Sequence, residues 1–389
     1  MTKKSIIGKV SVSPLQRIVN DSRSVGIILF VCSIVSMSLA NIYFGKQYIE
    51  FWNYSFHFPD NIHLPHSLLH WINDGAMAVF FFLVGMEIKR ELLQGELSSL
   101  QQSLLPLFAA IGGMIIPAIL YMFFNKGTVY QHGWGIPMAT DIAFSLGILS
   151  MLGKRVPVPL KVFLTALAII DDLGAILVIA LFYGSPINWF YLFAGAIVFT
   201  ILLLLPRMKI RFGWWNILLG ILLWYFIYNS GIHATIAGVL FALTIPPDQL
   251  SKQEHYFQIP VNFFILPIFA LANTAITIPS NFVESFGSSL SYGIITGLVL
   301  GKPLGILLAC WCLTRLKWSR LPEGVNWMQI AGVGILAGIG FTMSIFVSML
   351  AFADHTMQDS AKVGVLIASI IAVIVGNMWL YLAAGRQKN

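Results

Sequence analysis

Leu164-Thr165-Ala166-Leu167-Ala168-Ile169-Ile170-Asp171-Asp172-Leu173-Gly174-Ala175-Ile176-Leu177-Val178-Ile179 decides how this chain is read. Apolar residues flank two adjacent aspartates on both sides. A helix that is apolar all round belongs in a core or in a membrane. Neighbouring helical residues point about 100° apart, so the two carboxylates face different partners. A charge at mid-membrane costs several kcal/mol and marks a functional site. Two aspartates that merely joined neighbouring helices would need no charge for that job. Like charges this close repel in a low dielectric, which suits a carboxylate that exchanges its proton for a metal ion.

The composition points the same way. Of 389 residues, 58% are hydrophobic and only 10% charged, and the mean hydropathy is +0.82. A soluble domain carries about 25% charged residues, so lipid rather than a core consumes most of the apolar side chains. The formal charge of +7 would suit nucleic acid. The basic residues sit at the ends of apolar runs, however, and the expected surroundings are a lipid bilayer with no nucleic-acid partner. Cys32, Cys310 and Cys312 lie inside apolar segments and imply neither a disulfide framework nor a zinc site. No cofactor is expected.

Apolar runs lie at 24–45, 69–86, 104–124, 134–152, 159–183, 188–206, 213–229, 231–246, 259–276, 290–314, 327–352 and 361–384. A span needs about 20 apolar residues, which predicts an all-α polytopic membrane protein of about 12 transmembrane helices. With the N-terminus inside, most Lys and Arg fall on one side, including Lys89, Arg90, Lys154, Arg155, Lys161, Arg207, Arg315 and Arg320. Lys46, Lys126 and Lys362 fall on the other, and Lys302 lies within a span. The positive-inside rule thus predicts both termini in the cytoplasm. The expected organisation is a cytoplasmic segment at 1–23, one transmembrane domain at 24–384 and a cytoplasmic tail at 385–389. Ser38-Leu39-Ala40 resembles a signal-peptidase site; the apolar run continues through Ile42, Tyr43 and Phe44, which favours a retained span.

The first outside loop, 46–68, contains Trp52-Asn53-Tyr54-Ser55-Phe56-His57-Phe58, alternating with period two. Trp52, Tyr54, Phe56 and Phe58 would line one face of a strand, with Pro59-Asp60-Asn61 as the turn of a β-hairpin. An interfacial aromatic belt and pairing with a second copy both account for it.

Further charges lie where lipid should be. Asp141 follows Gly133, Gly135 and Pro137, which weaken a helix and predict a break in the fourth span. Thr140 adds a hydroxyl. Gly332, Gly334, Gly338 and Gly340 precede Phe341-Thr342-Met343-Ser344 and predict a second break, in the eleventh span. Broken helices at membrane depth expose carbonyls and helix ends that suit ions, although glycine faces also serve plain helix packing. The placement of the two breaks suggests an inverted repeat. Lys302 in Gly301-Lys302-Pro303 needs a carboxylate partner, Asp171 or Asp172. Three aspartates against one lysine leave room for a monovalent cation or protons, and oxygen ligands favour hard cations such as sodium or lithium. Glu87, Lys89, Arg90 and Glu91 form either a solvated helix end or a gate.

Several long stretches resemble the bacterial NhaA-type sodium/proton antiporters. They include Asn73-Asp74-Gly75-Ala76-Met77, Ala139-Thr140-Asp141-Ile142-Ala143-Phe144, Ala168-Ile169-Ile170-Asp171-Asp172-Leu173-Gly174, Gly231-Ile232-His233-Ala234-Thr235, Gly301-Lys302-Pro303-Leu304-Gly305 and Gly340-Phe341-Thr342-Met343-Ser344. The resemblance covers roughly residues 70 to 350. It implies an inverted-repeat transporter with no enzymatic activity, located in the bacterial inner membrane. It implies that Asp141 and Asp172, with Thr140, bind sodium or protons, that Asp171 partners Lys302, and that Asp74 is supporting. Glu87, Glu91, His233, Glu254 and His255 match positions tied to pH response. The family pattern has a second histidine after His255 where this chain has Gln258, so its pH profile is left open. A dimer joined through the outside hairpin is implied too. The expected activity is electrogenic exchange of sodium or lithium for protons by alternating access, with no cofactor. A sodium-coupled solute symporter of related fold is the alternative. An intramembrane aspartyl protease would leave Lys302 without a role and expects a Gly-x-Gly-Asp motif that this chain lacks.

Overall fold

The computed structural model describes residues 22–59, 63–277 and 287–385. Residues 1–21 of the N-terminal segment, Asp60 and Asn61 of the proposed turn and residues 386–389 of the tail lie outside the described residues.

Each apolar run carries a helix. The elements are α1 (Ser22–Ala40), α2 (Gly45–Trp52), α3 (Leu68–Gln94), α4 (Leu100–Asn125), a 3-10 helix (Gln131–Met138) leading to α5 (Ile142–Met151), α6 (Val158–Phe182), α7 (Trp189–Leu204), α8 (Trp214–Asn229), α9 (Thr235–Leu243), α10 (Pro247–Asn273), α11 (Ser289–Arg315), α12 (Trp327–Ala337), α13 (Phe341–Ala351) and α14 (His355–Gly385). Among the described residues, eight stretches are long and apolar enough to cross a bilayer, or nine if α12 and α13 form one span bent by 45°. The other three runs hold the shorter helices α7, α8 and α9. The protein is an all-helical polytopic membrane protein with broken helices at its fourth and eleventh spans.

The breaks have local causes. The 3-10 helix stops at Met138, just after Pro137, whose nitrogen cannot donate. Residues 139–141 are extended before α5 begins. The α12/α13 break falls at Gly338-Ile339-Gly340. A Cβ on Gly338 would collide with the Leu298 carbonyl, so only glycine lets the break seat against α11. Three helices also carry π-type turns, at Trp71–Ala76, Val261–Ile265 and Gly297–Gly301. The first contains Asp74 and the last ends beside Lys302. Such widened turns release backbone groups and recur at functional positions.

Small residues set the close crossings. On α4 and α11, Gly112 and Gly305 lie backbone to backbone, each blocking a Cβ on the other. This contact sits one helical turn from Lys302 and fixes how far its side chain reaches. Large aliphatic and aromatic side chains stay exposed around the circumference, among them Ile119, Phe123, Leu181, Phe193 and Leu382. In water that surface would be unfavourable; lipid covers it.

The outside loop departs from the strand expectation in one respect. Trp52 is the last residue of α2 and is buried there. Antiparallel pairing starts only beyond it, at an isolated bridge between Ser55 and Ser67. Phe56 N donates to His66 O (2.7 Å) and Leu68 N to Tyr54 O (3.1 Å). The alternation is real, but Gly45–Trp52 also has helical spacing, with Tyr48 and Trp52 four apart and in edge contact at 5.9 Å. The helix takes Trp52, while Tyr54, Phe56 and Phe58 remain on the extended segment.

Candidate ion site

Two broken helices meet at their breaks, and the polar centre is built there. Asp141 caps the N-terminus of α5, accepting from Phe144 N at 2.9 Å. Its other oxygen accepts from Thr342 N (3.1 Å) and from the Thr342 hydroxyl, at the first turn of α13. One carboxylate thus faces the positive ends of two half-helices, where a negative charge is favoured. Asp141 N donates to Ile339 O at 2.7 Å. Thr140 Oγ1 donates to Ala337 O (2.8 Å), Ser145 Oγ to Leu336 O (3.0 Å) and Ser344 Oγ to Ile136 O (2.7 Å). Each break therefore satisfies the other's freed backbone groups, which makes irregular backbone tolerable at this depth.

The ammonium of Lys302 serves the opposite pole. It donates to the Met138 carbonyl, at the C-terminal end of the 3-10 helix, and to Asp171 Oδ2 at 2.6 Å. The ion pair is fully enclosed, with both side chains 0% exposed. Of the two possible partners for Lys302, Asp171 makes the contact.

Asp172 is held differently. It is 2% exposed, and its Oδ1 has no hydrogen-bond donor among the described residues. The charges that reach it are those of Asp171, Glu87, Asp141 and Lys302. Asp141, Asp171 and Asp172 thus bury three carboxylates beside the one ammonium of Lys302, and among the described residues Asp171 Oδ1 and Asp172 Oδ1 are both left without a donor. A cavity of about 790 Å³ lies toward the Lys89–Glu91 end of α3, lined in part by Glu91, Lys161, Thr165 and Ala166. Thr165 and Ala166 stand on α6, one to two turns before the aspartates.

The other residues singled out from the sequence are scattered. Asp74 lies in the π-turn of α3, with its carbonyl accepting from Trp224 Nε1 at 2.8 Å. Arg90 links α3 to α10, with Glu91 at 3.0 Å and Glu254 at 3.1 Å. Glu87 is on the same helix, partly exposed, and Lys89 donates to Leu243 O and Ile245 O. His255 and Gln258 are exposed. His233 lies at the far end, its Nε2 2.5 Å from Tyr183 O. Tyr183 OH in turn accepts from Gly135 N and donates to His132 O.

Sequence reasoning did not single out Thr342 as a ligand of Asp141, although the Gly-rich break before it was the available signal. It also missed the buried pair Asn273 Nδ2 to Asn73 Oδ1 (2.8 Å), which joins α10 to α3. No spacing rule connects residues 200 positions apart.

Two broken helices that meet around a buried carboxylate, with a buried ion pair beside it, mark an integral membrane ion transporter. Comparison with known proteins narrows this. The profile of the family "Na+/H+ antiporter 1" matches residues 16–380. The Na(+)/H(+) antiporter NhaA of Cytophaga hutchinsonii is 49% identical over 361 residues, covering 91% of this chain and 92% of that protein. The Dechloromonas aromatica protein of the same name is 48% identical, with 91% and 92% covered. That of Citrobacter koseri is 45% identical over 381 residues, with 94% and 97% covered. The chain belongs to the Na+/H+ antiporter 1 family and is a transporter.

Proposed function

We propose that this protein exchanges sodium, or lithium, for protons across the bacterial inner membrane, with both termini in the cytoplasm, and that the exchange is electrogenic. The observation that carries the reading is the Asp172 carboxylate, buried with an oxygen that no donor reaches, beside Asp141 and the Asp171–Lys302 pair. Desolvating a carboxylate is tolerable only if something offsets its charge. A proton and a small hard cation are the two species that fit, and both need the same oxygen, so binding one displaces the other.

Competition of this kind couples the fluxes without a rigid linkage. Protons load from outside; on the cytoplasmic side they leave and sodium takes their place. Asp141, Asp172 and Thr140 form the ion site in this reading. Asp171 and Lys302 hold the charge balance when it is empty. Alternation of access is a movement of the crossed breaks against the rest of the bundle. If more protons enter than sodium ions leave, each net charge gains about 2.3 kcal/mol per 100 mV. The Arg90, Glu91 and Glu254 cluster, with Glu87 and the exposed His255, is assigned to pH response at the cytoplasmic mouth, His233 at the outer end is assigned to the same response, and Asp74 to support of α3. The segment containing Tyr54, Phe56 and Phe58 is assigned to pairing with a second copy.

The test is proton flux in inside-out vesicles with a respiration-generated pH gradient, on adding sodium, lithium or potassium across a pH series. Sodium and lithium should collapse the gradient and potassium should not. Asp172→Asn, with its fold intact, should abolish the response; an unchanged response would remove Asp172 from the site. A sodium-coupled symporter would show no proton movement on sodium addition.

A further inference from the structure

A cavity of about 670 Å³ opens between the adjoining ends of α4 and α6 and the loop that follows α11. Its floor is apolar, with Leu105, Val162 and Phe163; its rim carries Lys317, Ser319 and Arg320. No Asp or Glu lines it among the described residues, and the exposed Glu323 further along the loop lies outside it.

Depth follows from helix geometry. The segment Lys302–Arg315 has 14 residues and so rises about 20 Å. The same length of α6 separates Asp171 from Val158, which also lines the cavity. The hydrocarbon half-thickness is about 15 Å. With the Asp171–Lys302 pair near mid-depth, the rim stands in the headgroup layer and the floor at the start of the acyl region. Trp311 and Trp318 are exposed at this level, as interfacial tryptophans are.

The loop is built to hold that rim. Lys317 has φ 61°, a left-handed conformation that a lysine rarely takes. It lets Trp318 N reach back to Leu313 O at 3.1 Å and close α11. Lys317 and Arg320 are both exposed, and neither has an ion-pair partner among the described residues.

We propose that this groove binds one anionic glycerophospholipid. Its phosphate lies between Lys317 and Arg320 and its acyl chains run over Val162 and Phe163. Basic pockets between helices on the cytoplasmic side recognise acidic headgroups in this way. The lipid bridges the helix that carries Asp171 and the loop issuing from the helix that carries Lys302. The site does not depend on the transport reading.

The experiment is native mass spectrometry of the full chain, purified in detergent with added phosphatidylglycerol or phosphatidylcholine. Wild type should retain one phosphatidylglycerol and no phosphatidylcholine. Lys317→Ala with Arg320→Ala should lower retention about 30-fold, two basic residues' worth. Lys209→Ala with Arg211→Ala, the same charge change on another loop, should retain the lipid, as should the charge-keeping pair Lys317→Arg and Arg320→Lys. Equal retention of phosphatidylcholine, or no loss in the Ala pair, overturns the proposal. Full displacement by millimolar glycerol phosphate would also overturn it, by reducing the site to one for soluble phosphate.

Discussion

Lys302→Met should destabilise the protein more than removing any exposed lysine, and Asp171→Asn should recover much of the loss when combined with it. Lys302 donates to both Asp171 Oδ2 and the Met138 carbonyl. Both it and Asp171 are completely enclosed. Methionine fills nearly the same volume, so the packing loss is small. What remains is an uncompensated carboxylate and a carbonyl without its donor. Breaking a buried pair by removing one partner costs about 3–5 kcal/mol. In the double variant the charge is gone, and an amide and a thioether occupy the space, so the loss should fall to about 1–2 kcal/mol, chiefly the orphaned carbonyl. The assay is equilibrium unfolding in mixed micelles of the wild type, both single variants and the double. Relative to Lys302→Met alone, the double should recover about 1–4 kcal/mol. Additive losses, or a Lys302→Met loss under about 1 kcal/mol, would refute a closed, mutually dependent pair.

Other perturbations follow from named contacts. Thr342→Val removes the hydroxyl donor to Asp141 while the Thr342 N–H remains; about 1.5–3 kcal/mol of stabilisation of that carboxylate should go, seen as a raised apparent KM for sodium in vesicle assays. Gly305→Val forces a side chain into the Gly112 backbone; a loss of at least about 1–3 kcal/mol should appear as reduced membrane yield and a lower unfolding midpoint. Arg90→Ala breaks two partly exposed ion pairs, one within α3 to Glu91 and one to Glu254 of α10; at about 0–1 kcal/mol its stability should barely move, while the pH dependence of exchange shifts. An unchanged pH profile would place the cluster among ordinary solvated helix ends.

The sequence by itself determined that the chain lives in lipid and where its helices run. Apolar runs of span length leave no other solvent, because only a helix satisfies its own backbone in hydrocarbon. It also marked Asp141, Asp171, Asp172 and Lys302, since a charge is costly in such runs and stands out by type alone. The glycines and Pro137 signalled the two breaks for the same local reason. Partnership was not legible. Asp171 and Asp172 are neighbours with the same side chain, and only the crossing of α4, α6 and α11 gives the Lys302 ammonium to the first and not to the second, each keeping one buried oxygen without a donor among the described residues. The bond from Thr342 to Asp141 spans 201 positions and exists because two breaks meet, a fact no periodicity contains. Trp52 shows the limit at short range. Its segment fits a strand and a helix equally by spacing, and packing of Tyr48 and Trp52 decides for the helix. Local chemistry chose the residues, and long-range packing decided which charge is paired with the ammonium and which is not.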